Sequence, residues 1–432
     1  MSLKSFLNNH SNAYLLLIFH WVVFWAGLWF FHLWGNYEIF PIEFHLDNWD
    51  VDWYKMIVED GYSFAKGQQS NVAFYPLFPL VWKSLGSSLL GISIFNLLIF
   101  NSALLIFWKT FKLKAWELLN LVAIPSLFFC FIPYSEALFF LGGAILLGGL
   151  KKEKLWMLAL GLFICGITRS VSVIFVPIIF GVYLLSSNKE NWKINSLRFL
   201  GLSTLLLALN WLVHRFLVAQ SGVEFTTYEL QKAWNKVLAI PQLPLTTWGG
   251  RRLVWLDGIS LFVGFSTLIW LLKKGWNKFE NLDYAPKKSR VFSFSYLFLV
   301  TIITLLFAVS NGNSTSVYSL NRYIFATPFF SIFLLSVWRI EIPWKPLLKI
   351  FGPLFFIVCA AFYRLPEAPN FWEAVVRSLE WIPYFIGMFA YAALFVLPKY
   401  WKSPWSSILL YVVNLGIGLW LFTEFLSGAW VG

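Results

Sequence analysis

The sequence predicts an all-α polytopic membrane protein, and three observations carry that prediction. Of its 432 residues 59% are hydrophobic and only 12% are charged, whereas a soluble chain of this size carries about 25% charged residues. The apolar residues collect into long runs, the first from Tyr14 to Trp34, about the length needed to cross roughly 30 Å of hydrocarbon as a helix. Between the runs, Lys and Arg recur in clusters, as the positive-inside rule expects of cytoplasmic loops.

Taken in order, the apolar runs predict spans at Tyr14–Trp34, Ser88–Trp108, Glu117–Ile132, Ser135–Leu150, Leu155–Thr168, Val171–Ser186, Leu197–Val218, Gly258–Leu272, Val291–Ser310, Tyr323–Trp338, Leu347–Tyr363, Trp381–Leu397 and Trp405–Phe425. Those shorter than about 17 residues are expected to be tilted, broken or re-entrant, which is tolerated when buried in protein. The expectation is a single membrane domain over residues 1–432 with about 11–13 transmembrane helices. The first span follows a short head and has no small-residue cleavage site, so it reads as a retained helix.

Composition also excludes. A net charge of +12 is explained by the inner-face lysines, and no soluble basic face exists to hold nucleic acid. Cys130, Cys165 and Cys359 lie within apolar runs, without metal-type spacing, and suggest neither a disulfide framework nor a zinc site. The five histidines form no ligand pair. Walker, dinucleotide-binding and nucleophile-elbow motifs are missing.

With the Lys/Arg clusters inside, the unusual polar elements all fall outside. The first outer loop holds "HLDNWDVDWYKMIVEDGY" (residues 45–62). Asp47 can cap a helix there, Trp49, Trp53, Met56 and Ile57 share one face, and Gly61 ends it. This predicts an amphipathic helix at the membrane interface, with Asp50 and Asp52 turned away from the lipid. Asp50, near the helix N-terminus where negative charge is favoured, suits the role of a base that takes a proton from a hydroxyl nucleophile. A solvated acidic face is the plainer alternative. Glu136 and Arg169 stand almost alone among apolar residues, Arg251 and Arg252 follow a Gly pair, and Arg322 starts a span. Arginine at the membrane boundary is costly and normally paired or functional, and its planar fork suits phosphate oxygens. Arg364 and Arg377 read as ordinary outer-loop residues that snorkel.

These segments resemble the PIG-V-like mannosyltransferases of the GT-C superfamily. "NWDVDWYKMIVEDGY" followed by "NVAFYPLFPLV" is similar to that family's first-loop signature, "IPSLFFCFIPYSEALFF" to its second block, "ITRSVS" to its third and "SLNRYIFATPFF" to its arginine-tyrosine helix start. The resemblance runs from residue 48 to about 330. It implies a GT-C-like bundle with its site at the outer surface, an inverting transfer of a hexose, expected to be mannose, from a polyprenyl-phosphate donor, and a glycolipid or glycan acceptor. It implies Asp50 as the catalytic base and carries substrate-binding roles to Tyr134, Ser135, Glu136, Arg169 and Arg322.

Beside these, Asp52 is a second carboxylate, Tyr323 adjoins Arg322, and Trp49 and Trp53 offer rings to a sugar or prenyl chain. Arg251 and Arg252 are further cations for the lipid phosphate. No cofactor is required by this chemistry and no metal site is expected, although acids near Asp50 could hold a divalent ion. The expected partners are the lipid donor, the acceptor and membrane lipids, with a monomer in a bacterial plasma membrane, its site on the outer face, or facing the endoplasmic reticulum lumen if the host is eukaryotic. A flippase or transporter of lipid-linked sugars is the competing class, and it predicts midplane ionisable groups or an inverted repeat, neither of which the sequence displays.

Overall fold

The computed structural model describes residues 12–34, 43–186, 192–272, 287–307, 309–311, 314–339, 344–363, 372–373, 378–401 and 403–432. The chain is a multi-pass helical membrane protein. Seven helices among the described residues are long and apolar enough to cross a membrane. They are α1 (Ala13–Leu33), α4 (Leu89–Phe111), α9 (Trp192–Ser221), α11 (Val254–Leu272), α12 (Lys287–Leu306), α16 (Ile382–Tyr400) and α17 (Pro404–Leu426). Shorter helices fill the bundle: α5 (Ala115–Val122), α6 (Glu136–Lys152), α7 (Leu155–Thr168), α8 (Phe175–Ser186), α13 (Leu320–Phe325), α14 (Pro328–Arg339) and α15 (Trp344–Phe362).

Two expected spans are broken. Glu117–Ile132 divides into α5 and a 3-10 turn at Pro125–Cys130, because Pro125 has no N–H to continue the helical ladder. Tyr323–Trp338 divides into α13 and α14 at Ala326–Thr327, where Pro328 opens the second piece, the position at which a missing N–H costs least. Both breaks sit next to the charged residues singled out above.

α6 and α7 form an antiparallel hairpin whose close approach depends on glycine. A Cβ on Gly161 would lie 2.6 Å from the Leu146 nitrogen and 2.7 Å from the Gly142 oxygen, so only a hydrogen fits. This hairpin puts Glu136, the first residue of α6, and Arg169, just past the end of α7, at the same end of the bundle. Lys151 and Lys152 lie at the far end of α6, about 25 Å away at 1.5 Å per residue.

That far end has its own clamp. Glu117, fully buried, accepts from the Arg339 Nε at 2.7 Å and from its Nη2, while Arg339 also donates to the carbonyls of Phe111 and Lys112 at 3.2 and 3.1 Å. One ion pair thus joins the end of α4, the start of α5 and the end of α14.

A three-stranded sheet departs from a purely helical chain: β1 (Leu245–Thr247), β2 (Val309–Asn311) and β3 (Ser314–Val317), in the order β1-β3-β2. β1 runs parallel to β3 with Leu245 opposite Thr315, and β2 runs antiparallel with Val309 opposite Ser316. No run of alternating residues signalled these short strands. Their effect is to fix the chain immediately before Tyr318 and α13.

Candidate functional site

The first loop folds as the 3-10 turn Glu43–Leu46, then α2 (Asp50–Asp60) and α3 (Leu77–Leu85). Asp47 does not cap α2. Its carboxylate takes the Lys55 ammonium at 2.7 Å, and the cap position belongs to Trp49, whose backbone is left-handed at φ 60°. Gly61, at φ 86°, ends the helix as expected. The helix is amphipathic, but its buried stripe is Val51, Tyr54 and Ile57, with Trp49 and Met56 exposed. Trp53 stacks on Phe74 and leans on Trp234 at 5.3 Å.

This packing turns Asp50 inward, towards three other charges. Arg322 donates from Nη1 to Asp50 Oδ2 at 2.6 Å and from Nε to Glu136 Oε1, which also receives Nη1 of Arg169. Side-chain exposure is 18% for Asp50, 13% for Arg169, 4% for Arg322 and 2% for Glu136. Charges so far from water persist only when paired and hydrogen-bonded, and here two carboxylates meet two guanidinium groups. The cluster is electrically balanced.

Aromatic rings and neutral donors complete it. The Tyr134 ring lies 4.4 Å from the Arg322 guanidinium, and the Tyr323 ring 5.0 Å from that of Arg169, distances at which the ring face attracts a cation. The Tyr134 hydroxyl accepts from the Asp50 backbone N–H at 3.2 Å, and Tyr54 donates to Ser135 Oγ at 2.9 Å. Ser135 therefore serves Tyr54 instead of capping α6, and Glu136 spends its charge on the arginines. Asn96 Nδ2 holds the carbonyls of Ile132 and Tyr134 at 2.6 and 2.9 Å, which secures the turn before Glu136.

Arg322 is set by an aspartate just before the expected span Gly258–Leu272. Asp257 is buried in the first turn of α11, and its Oδ1 accepts from the backbone N–H and the side-chain amide of Asn321 at 3.3 and 3.0 Å. A carboxylate at the start of α13 meets its unpaired N–H groups, and the next residue along is Arg322. Asp257 looked like one more loop acid because its partner is 64 residues away.

Other sequence-predicted residues fall elsewhere. Asp52 faces Asp47 and Lys55; partial burial and the Asp47 carboxylate push its own carboxyl above the usual range, with Lys55 pulling the opposite way. Arg252 pairs with Glu424 at the end of α17 and donates to the Gly249 carbonyl at 3.2 Å. The side chain of Arg251 lies outside the described residues, as do Arg364 and Arg377. No group of three or more His, Cys, Asp or Glu side chains comes together among the described residues.

An apolar cavity of about 80 Å³ lies between α11, α14, α15 and α16, lined by Phe262, Trp270, Phe330, Phe333, Phe351 and Phe395 among others. Two of its walls, α11 and α14, start beside the charged cluster, at Asp257 and shortly after Arg322.

Fold and site together define a multi-pass membrane protein with a neutral, hydrogen-bonded cluster of acids and arginines at the end of its bundle opposite the lysine-rich one. No family model matches the chain, and no curated protein matches it.

Proposed function

We propose that the protein is an inverting glycosyltransferase of the GT-C type, moving a hexose from a polyprenyl-phosphate donor to a lipid-linked or glycan hydroxyl at the outer membrane face. The observation that supports this reading best is Asp50: one carboxylate oxygen is held by Arg322 at 2.6 Å, while the other has no protein partner among the described residues. A carboxylate fixed on one side and free on the other is arranged to accept a proton.

In the proposed reaction the acceptor hydroxyl gives its proton to the free Asp50 oxygen as its own oxygen bonds to the anomeric carbon. The bond from that carbon to the phosphate oxygen breaks on the opposite face, and its electron pair leaves with the polyprenyl phosphate. Because phosphate departs as a stabilised anion, no second carboxylic acid is needed, unlike in the paired-carboxylate glycosidases. Glu136 and Arg169 serve here as positioning residues, holding Arg322, which holds Asp50. The mannose preference comes from the family resemblance.

The test is transfer by the purified protein from radiolabelled polyprenyl-phosphate mannose to a panel of glycolipid acceptors. Asp50→Asn is expected to lower the rate by about 10²-fold or more, the usual contribution of a general base. Transfer at the parental rate by the Asn variant would sink the assignment. Lipid movement across liposomes without any transfer would favour a flippase.

A further inference from the structure

The balanced cluster leaves a difficulty. A lipid phosphate brought up to Asp50 would meet arginines whose charge is already cancelled by Glu136 and by Asp50 itself. Arg252 is similarly occupied by Glu424. A phosphodiester donor carries one negative charge and gains another as a monoester product ionises, so the site needs a cation that no carboxylate has claimed.

Lys236 is such a cation. Among the described residues it has no carboxylate partner, and its ammonium lies 4.8 Å from the centre of the Tyr318 ring. Tyr318 links it to the site. The phenol lies within electrostatic range of Asp50, Tyr323 and Arg322, its ring stacks on Trp430 at 4.8 Å, and Trp430 meets Trp49, the residue before Asp50, at 4.9 Å. The segment that carries the lysine is anchored to the helix that carries Asp50. After α10 (Thr227–Ala233), Trp234 packs against Trp53 of α2 at 5.3 Å. Asn235 then adopts φ 55°, a left-handed turn that asparagine tolerates, and the Lys236 N–H closes it onto the Gln231 carbonyl at 2.8 Å.

We propose that Lys236 binds the phosphate ester of the substrate, on a rim of Tyr318, Trp430 and Trp49 that leads to Asp50. The lysine is a mobile point charge on an aromatic floor and can follow the phosphate as its charge grows. Naming the ester as a sugar-phosphate lipid rests on the glycosyl-transfer reading, whereas binding of phosphate at Lys236 does not.

Binding is measured on the full-length protein in nanodiscs through tryptophan fluorescence, with farnesyl phosphate and mannose 1-phosphate as probes and farnesol as the uncharged control. Lys236→Gln is expected to weaken farnesyl phosphate by about tenfold, the worth of one charge-assisted contact, without changing farnesol. Lys236→Arg should restore most of the affinity, and Lys66→Gln, which removes an exposed lysine paired with Glu229, should change nothing. Weakening confined to farnesyl phosphate supports a lipid source, and equal weakening of mannose 1-phosphate supports a soluble phosphate ester. Unchanged affinity of the Gln variant for both overturns the proposal. If the Gln variant binds weakly while no variant transfers sugar, Lys236 stands and the glycosyltransferase reading fails.

Discussion

Asp50 and Asp52 are two residues apart in the chain and have different surroundings in the fold. Asp50 turns towards Arg322, and Asp52 towards Asp47 and Lys55. Because the Asp52 shift is upward, the folded protein holds that proton more tightly than the unfolded chain. Its ionised form therefore opposes folding above the ordinary carboxylate pKa and has no effect well below it. Asp52→Asn is expected to raise the thermal midpoint at pH 7, with the gain disappearing as pH falls through about 4, and to leave the transfer rate intact where Asp50→Asn lowers it by about 10²-fold or more. A lower midpoint at pH 7, or lost transfer, would show that Asp52 belongs to the site. Asp50, Glu136, Arg169 and Arg322 were legible as suspects because each is a rare charge beside apolar sequence. Lys236 and Asp257 were not, since a lysine or an aspartate in a polar loop is unremarkable until its surroundings are known.

At the scale of elements, the cluster exists because short and broken helices carry its members to one place. The α6–α7 hairpin aligns Glu136 with Arg169 through backbone contact at Gly161. Gly161→Leu is expected to force that hairpin apart and destabilise the protein by about 1–3 kcal/mol or more, read as a lower thermal midpoint in detergent. Gly181→Ala, where an added Cβ would meet nothing within 4 Å, is the control and should be near neutral. Equal midpoints for both variants would mean that the close approach matters little. Apolar runs revealed where these helices lie, but the two breaks at Pro125 and Pro328 were anticipated only as shortness, because a proline in an apolar run marks a stop without saying where the chain goes next. The sheet was invisible for a related reason: strands of three and four residues are too short to show a period.

For the whole molecule, two ion-pair systems close opposite ends of the bundle: Asp50–Arg322–Glu136–Arg169 at one, Glu117–Arg339 at the other. Lysines gather at the second, and on the positive-inside rule we propose that this end is the cytoplasmic one. The three native cysteines are buried, which leaves a quiet background for labelling. A cysteine introduced at exposed Gln69, in the first loop, is expected to react with a membrane-impermeant maleimide on intact cells, and one at exposed Lys154 only after permeabilisation. The reverse pattern would put Asp50 in the cytoplasm and end the proposal of an outer-face reaction.

Sequence by itself determined the class of protein and where its apolar runs lie, because the transfer of apolar side chains out of water is local and additive, written residue by residue along the chain. It also marked several charges as too costly to be incidental. Tertiary structure alone decided which charge neutralises which, that Arg322 serves Asp50 and Glu136 together, and that Lys236 has no carboxylate partner among the described residues. Electrostatic pairing acts over a few ångströms in space between residues up to 272 positions apart in the chain, a separation at which no sequence pattern records the contact.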